Sequence, residues 1–227
     1  MANKVLLALT SHAVKGSSGQ PTGFYLAEAA HPWHELRKAG FQVNFVSVLG
    51  GKPPMDGADN PDAISQAFLN DPQVQQQLAN TPTAAQLNPK DYAAILFVGG
   101  HGAMWDFPDD EDLAKLAAAI YEHQGVVAAV CHGPAALVNL KLSDGNYLIK
   151  GKRVAAFTNQ EEDAVGLSRV VPFLLASKLQ ERGAKHIPAP NWAAQVVVDG
   201  HLVTGQNPAS ATGVGQAMAE LLETVRT

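Results

Sequence analysis

Val126-Val127-Ala128-Ala129-Val130-Cys131-His132-Gly133-Pro134 is the stretch on which the fold of this chain turns. Five consecutive apolar residues are too few for a helix and read as a strand buried on both faces. Gly133 permits a close backbone approach. Pro134 suits a first helical turn, because its missing N–H would be unpaired there anyway. The pattern is therefore strand, sharp turn, helix, with the lone cysteine of the chain at the turn. That seat is the carboxyl end of a central strand, where open α/β sheets hold their ligands. Amide N–H groups and the positive end of the following helix would face the sulfur. Such surroundings lower a cysteine pKa from about 8.5 toward about 3.5–7.5, so the expectation is an ionised thiolate.

Outward from this point, strand and helix patterns alternate, which implies a mostly parallel sheet with helices on both faces. Lys4 to Thr10, Gln42 to Val48, Ala93 to Val98 and Arg153 to Phe157 read as strands. Helices are predicted over 23–38, 110–124, 172–182 and 209–225, with an interruption or restart at Pro32 and stops at Gly40 and Gly125. Asp199-Gly200 between Gln195–Val198 and Leu202–Thr204 reads as a two-residue hairpin turn. Residues 49 to 92 depart from the alternation and read as an elaboration with two short helices, at 63–69 and 72–79, the second capped by Asp71 with Pro72 at its first position. An insertion of that length is expected to shape a pocket or an oligomer contact within a single domain spanning 1–227.

The bulk numbers exclude several classes. Hydrophobic residues make up 46% and charged residues 16% of 227, an ordinary globular balance. A net charge of -5 argues against a nucleic-acid or anionic-membrane partner, and no apolar run approaches the roughly 20 residues of a bilayer span. Met1-Ala2-Asn3-Lys4 runs directly into Val5-Leu6-Leu7-Ala8-Leu9, which is too short and lacks the cleavage site of a signal peptide. One cysteine excludes an internal disulfide and a multi-cysteine zinc site, and a reducing cytoplasm is the expected compartment.

The Cys131 turn resembles a nucleophile elbow, in which the residue after the nucleophile donates its backbone N–H to an oxyanion. Here that residue is His132, and a second donor is expected from the Gly99-Gly100 turn, at Gly100. Glu28 sits among Phe24, Tyr25, Leu26, Ala27, Ala29 and Ala30, an odd charge on an apolar helix. An unpaired acid on a buried helix face is costly, which points to a role for Glu28.

Phe97-Val98-Gly99-Gly100-His101-Gly102, the Cys131-His132-Gly133-Pro134 elbow, the 23–40 segment with its embedded glutamate, Phe157 to Gly166 and the ending Asp199-Gly200-His201-Leu202-Val203-Thr204-Gly205 together resemble the ThiJ/PfpI superfamily. Within it the chain is most similar to the branch of glutathione-independent glyoxalase III and stress chaperones. The resemblance covers nearly the whole chain. It implies a flavodoxin-like three-layer sandwich and a helical insertion after the second strand. It also implies a homodimer and a reaction without cofactor or metal. It places Cys131 as nucleophile, Glu28 beside the thiol and His132 as base, with an acid about thirty positions on to orient that base. A carboxyl placed, as Glu28 is, against a partly buried sulfur is desolvated, so its pKa should rise and fit it to move protons near neutrality. Glu161, Glu162 and Asp163 are the candidates, and alignment of Gly151-Lys152, Phe157 and Gly166 favours Glu162.

Around this core, His101, Trp105 and Trp192 are expected to line the pocket, with Asp106 and Phe107 at its rim. His31 and Glu35 have the i,i+4 spacing of a metal pair, with His34 beside them. Residues 50 to 80 offer no histidine as a third ligand, so these three read as surface polar residues.

The resemblance implies a small 2-oxoaldehyde such as methylglyoxal as substrate and D-lactate as product, through a cysteine hemithioacetal. An amidotransferase would need a histidine and glutamate two apart near the C-terminus. His186 and His201 are followed instead by Ile187-Pro188 and Leu202-Val203. The remaining alternatives are a cysteine amidase or peptidase of the PfpI type, and a stress holdase or redox sensor without turnover.

Overall fold

The computed structural model describes residues 3–226; Met1 and Ala2, where the N-terminal stretch begins, lie outside them. In chain order the first elements are β1 (Lys4–Leu9), β2 (Phe24–Tyr25), α1 (Leu26–Lys38), β3 (Gln42–Ser47) and β4 (Met55–Asp56). Then come α2 (Ala63–Asn70), α3 (Pro72–Ala79), β5 (Tyr92–Phe97), α4 (Ala103–Asp106), α5 (Glu111–Glu122) and β6 (Val126–Val130). The last are β7 (Arg153–Val154), α6 (Asn159–Ala164), α7 (Leu175–Glu181), β8 (Lys185–His186), β9 (Val196–Asp199), β10 (Leu202–Gly205) and α8 (Ala211–Arg226).

The main sheet has the order β3-β1-β5-β6-β10-β9, parallel throughout except for β9 against β10. Val5 through Leu9 and Val126 through Val130 are all buried, so both faces of the central strands are covered, as their unbroken apolar runs require. The order reverses at β1, which has β3 on one side and β5 on the other, giving the flavodoxin-like arrangement with its crevice at the carboxyl ends of the strands. No helix among the described residues is long and apolar enough to cross a membrane.

Several expectations need correction. Helix α1 starts at Leu26, after a short strand, and runs through Pro32 without restarting; α8 passes so close that a Cβ at Gly215 would stand 2.7 Å from Pro32 Cα. Proline keeps a helical φ and removes one hydrogen bond, a loss that this packing offsets. The stop of α5 is Gln124, at φ 65, and not Gly125, whose missing side chain makes room for Ile120 and for the Ala93 carbonyl. The hairpin loop is Gly200-His201, one residue later than expected, because Asp199 pairs with Leu202 and uses its carboxylate to accept the Arg153 N–H. Only Arg153–Val154 of the strand expected at 153–157 is formed, and it pairs with β8 outside the main sheet. The helix over 172–182 shortens to α7.

Residues 49–92 contain α2 and α3, with Asp71 accepting from the Gln73 and Val74 N–H groups as its capping position demands. They also contain β4, which pairs with β2 and so pins the entry to α1. Phe24 N–H donates to Pro54 O on one side, and Tyr25 N–H to Gly99 O on the other. That double anchoring carries the first turn of α1 to the ends of β5 and β6.

Candidate active site

Cys131 leaves β6 at φ 60, a left-handed conformation that a non-glycine residue adopts only when its surroundings impose it. They do so here through its own amide, which donates to Gly205 O at 2.9 Å, and its carbonyl, which accepts from Phe157 N–H at 3.0 Å. Gly133 completes the turn, since a Cβ there would overlap the Phe97 carbonyl oxygen. The sulfur is thus aimed off the sheet end by two strands and a loop.

Beyond the turn, Gly133–Leu137 forms a short 3-10 helix, and the α-helix expected after Pro134 is absent. The ionised resting sulfur is overturned with it. Burial first, and then the Glu28 carboxyl, push the Cys131 thiol well above 9; the His132 backbone N–H pulls weakly the other way. That N–H, expected to serve an oxyanion, is directed at the sulfur. Gly100 adopts φ 107, and a Cβ there would overlap Gly23 O and stand 2.7 Å from Tyr25 N, so its glycine is needed for the packing of the turn.

Glu28 lies in the first turn of α1 and is 1% exposed. Neither carboxyl oxygen has a hydrogen-bond partner of good geometry; the Cys131 thiol and the Gly99 N–H are the polar groups that face it. Burial raises its pKa to about 8, helped by the charge of Asp56 from β4 and opposed by Cys131 and Gly99. Gly99 makes this placement possible, because a Cβ there would overlap Glu28 Oε2 and stand 2.9 Å from Cys131 Cβ.

On the other side of the sulfur, His132 Nδ1 lies 3.4 Å from Cys131 Sγ. Its Nε2 donates to Glu162 Oε2 at 2.6 Å, and His101 Nε2 donates to Glu162 Oε1 at 2.7 Å. Burial pushes the Glu162 carboxyl up, but the two imidazole N–H groups outweigh it and bring it down to about 2. A carboxylate only accepts, so His132 carries its proton on Nε2 and turns a bare Nδ1 toward the thiol. Burial, and next the charge of His101, lower the His132 pKa to about 4 against the pull of Glu162, which keeps the ring neutral. Phe157 packs against that ring with centroids 4.3 Å apart.

Of the three acids after Phe157, Glu162 is the one that orients His132. Glu161 closes a capping box with Thr158 and accepts from Trp192 N–H, Gln206 Nε2 and Asn207 Nδ2, tying three loops together. Asp163 faces outward and accepts from Ser168 Oγ. The Thr158-Asn159-Gln160-Glu161 pattern is a capping signature in the sequence itself, and it marks Glu161 as structural.

Trp192 stands over Phe157 at 5.8 Å, 47% exposed, at the outer edge of the ring cluster. Trp105 instead stacks on His12 at 5.1 Å and covers Gly16. Asp106 accepts from Thr10 Oγ1 and Ser11 N–H, and Phe107 is buried against Phe97, so both brace the turn from within and neither forms a rim. His31 has both ring nitrogens engaged, with Thr212 Oγ1 and Asp62 Oδ2, and Glu35 accepts from Gln216. Among the described residues, His101, His132 and Glu162 are the group close enough to hold a metal ion, but the atoms that would ligate it are already joined by the two hydrogen bonds above.

This assembly of thiol, neutral imidazole with a bare nitrogen, ionised carboxylate and protonated carboxyl suits addition of sulfur to a carbonyl followed by proton transfer. Residues 21–221 match the DJ-1/PfpI family. The glutathione-independent glyoxalase HSP31 of Saccharomyces cerevisiae is 38% identical, covering 92% of this chain and 93% of its own. Glyoxalase 3 of Candida albicans is 35% identical, covering 97% and 98%. The crystal structure of glyoxalase III from Candida albicans superposes with a TM-score of 0.88 at 34% identity, over 96% of both chains. That of the Rapid Encystment Protein of 24 kDa from Francisella tularensis superposes with a TM-score of 0.94 at 39% identity, over 98% of this chain and 99% of that one.

Proposed function

The chain belongs to the DJ-1/PfpI family, and from that premise we propose that it is a glutathione-independent glyoxalase converting methylglyoxal-like 2-oxoaldehydes to 2-hydroxy acids. Two relatives bearing a glyoxalase name, each matched over more than nine-tenths of both chains, support the activity. The observation that carries the mechanism is the linked set Glu162 Oε2–His132 Nε2 at 2.6 Å and His132 Nδ1–Cys131 Sγ at 3.4 Å, with the buried Glu28 carboxyl also facing the sulfur.

The thiol proton passes to His132 Nδ1 as the sulfur adds to the aldehyde carbon. The new alkoxide takes the Glu28 proton, giving a hemithioacetal and a buried carboxylate. Glu28 then removes the hydrogen from that carbon, while His132 returns its proton to the neighbouring ketone oxygen, forming an enediol. Glu28 delivers its proton to the second carbon and His132 accepts the hydroxyl proton of the first, leaving a 2-hydroxy thioester. Water hydrolyses the thioester, with His132 reprotonating the departing sulfur; one proton of the new acid restores Glu28 and one is released. The substrate is oxidised at one carbon and reduced at the next, so the sequence needs no external redox partner.

The deciding experiment is purified protein with methylglyoxal in the absence of glutathione, followed by chiral analysis of lactate. Wild type should form D-lactate and Cys131→Ala should form none. Cleavage of an amide or peptide by a protein inert to methylglyoxal would establish the hydrolase instead; suppression of client aggregation by both proteins, without turnover, would establish the holdase. The single cysteine suits a reducing cytoplasm, and the family's homodimer is testable by sedimentation.

A further inference from the structure

His101 was expected to line the pocket, yet its strongest contact is with Glu162. The Glu162 carboxylate has one imidazole N–H on each oxygen, and the two rings lie 4.0 Å apart between centroids, with Phe157 against both. We propose that His101 is a positioning residue for the base: by occupying the second oxygen of Glu162 it fixes the plane of that carboxylate, and through it the His132 tautomer whose Nδ1 faces the sulfur. The inference rests on the reading of Cys131 and His132 as nucleophile and base.

A glutamate's terminal torsion is broad, so a carboxylate gripped at one oxygen can swing. A buried oxygen left without a donor also seeks any proton within reach. With His101 in place neither is open to Glu162, because both oxygens accept from fixed rings. The arrangement also tempers the base. Each N–H draws charge from the carboxylate, so Glu162 pulls less on the His132 proton than a singly bonded carboxylate would. The charged or titratable groups that face His132 are Cys131 beside it, His101 from the glycine turn, and Glu161 and Glu162 from α6; Glu28 of α1 acts across the sulfur. His101 is the one among them that both bonds Glu162 and lies against the His132 ring.

The test compares His101→Phe, which keeps a ring and loses the donor, with His101→Gln, whose amide N–H can reach Glu162. Two readouts are taken on the full chain: the pH dependence of kcat and KM with methylglyoxal, and imidazole 15N NMR of His132, assigned from the spectrum of His132→Gln. In wild type the NMR signal should show Nε2–H and a bare Nδ1. In His101→Phe it should show mixed tautomers, and the midpoint should rise by about one pH unit as the carboxylate's full charge returns to His132. kcat should fall about 10- to 100-fold with KM within twofold, within the range of general acid–base effects, and the acid limb should follow the NMR midpoint. His101→Gln should restore most of the rate and the wild-type tautomer.

The inference is overturned if His101→Phe keeps the wild-type tautomer and midpoint, if the whole loss falls on KM, or if Gln rescues nothing. Should His101→Phe not fold, His101→Asn, whose shorter amide stops short of Glu162, takes its place. Should wild type leave methylglyoxal untouched, the NMR comparison still decides the role of His101 while the glyoxalase reading falls.

Discussion

Glu28 and Glu162 are both buried, both within reach of the Cys131–His132 pair, and opposite in charge. Glu28 comes from the first turn of a helix, where the dipole favours an anion, yet its pKa is raised to about 8. Glu162 is 3% exposed and its pKa is lowered to about 2. Burial acts upward on both; the difference is the donors. Two imidazole N–H groups meet the oxygens of Glu162, while Glu28 faces a thiol and one amide without a well-formed hydrogen bond. Desolvation decides the charge of a carboxyl only where donors fail to replace the lost water. Pairs of acids pushed apart in this way are how one site runs acid and base chemistry at a single pH.

The largest test of this comparison is Glu28→Gln. It removes the proton shuttle, and kcat should fall on the order of 10^3-fold, the middle of the general acid–base range. The same substitution tests the raised pKa without any substrate. A carboxyl whose folded pKa exceeds its unfolded value contributes stability below the unfolded pKa and loses it as pH rises through the folded one. Between pH 6 and 9 wild type should therefore lose about 2–3 kcal/mol that Glu28→Gln retains, measured by urea unfolding at the two pH values. Equal losses in both proteins would place the Glu28 proton elsewhere.

Glu162→Gln comes next. An amide can present N–H or C=O to His132, so the tautomer is no longer dictated, and kcat should fall on the order of 10^2-fold, the lower end of the general acid–base range. Its stability signature has the opposite sign. A carboxyl with a lowered folded pKa contributes stability above about 4.5 that is lost as pH falls toward 2. Acid titration of the folded state should show that loss in wild type and a shallower one in Glu162→Gln.

A smaller, sharper effect concerns the pH profile alone. With Glu28 required in its protonated form, kcat/KM should decline above about pH 8, and that limb should survive in Glu162→Gln. The smallest catalytic effect belongs to Glu161→Gln, whose carboxylate meets loops and not the base. Activity should change less than about threefold, while stability falls by about 1–3 kcal/mol as the Trp192, Gln206 and Asn207 donors lose a charged partner.

The elbow, the alternation behind the parallel sheet and the two insertion helices were legible because each is a local pattern of a few residues. Val126 to Val130 forms the strand over those five positions, and Asp71 caps the helix its proline announces. What misled was equally local. The turn after Cys131 carries the composition of a helix start but closes as a 3-10 helix, so no α-helical dipole is available there to ionise the sulfur. Trp105 reads as pocket lining because it follows the glycine turn in sequence, but side-chain direction sends it to His12. His101 was read as lining because nothing in its own neighbourhood shows that Glu162, sixty-one positions later, comes within 2.7 Å.

By itself the sequence determined the long strands of the main sheet, the longer helices and the cysteine turn at the sheet end, because strand periodicity, glycine at close approaches and capping pairs act over a few residues. The raised pKa of Glu28 was already expected; only the tertiary structure decided the remaining protonation states: an ionised Glu162, a neutral His132 and a thiol held as a thiol. Charge in a site depends on how much water is excluded and which donors replace it, and those donors come from parts of the chain that meet only when it has folded.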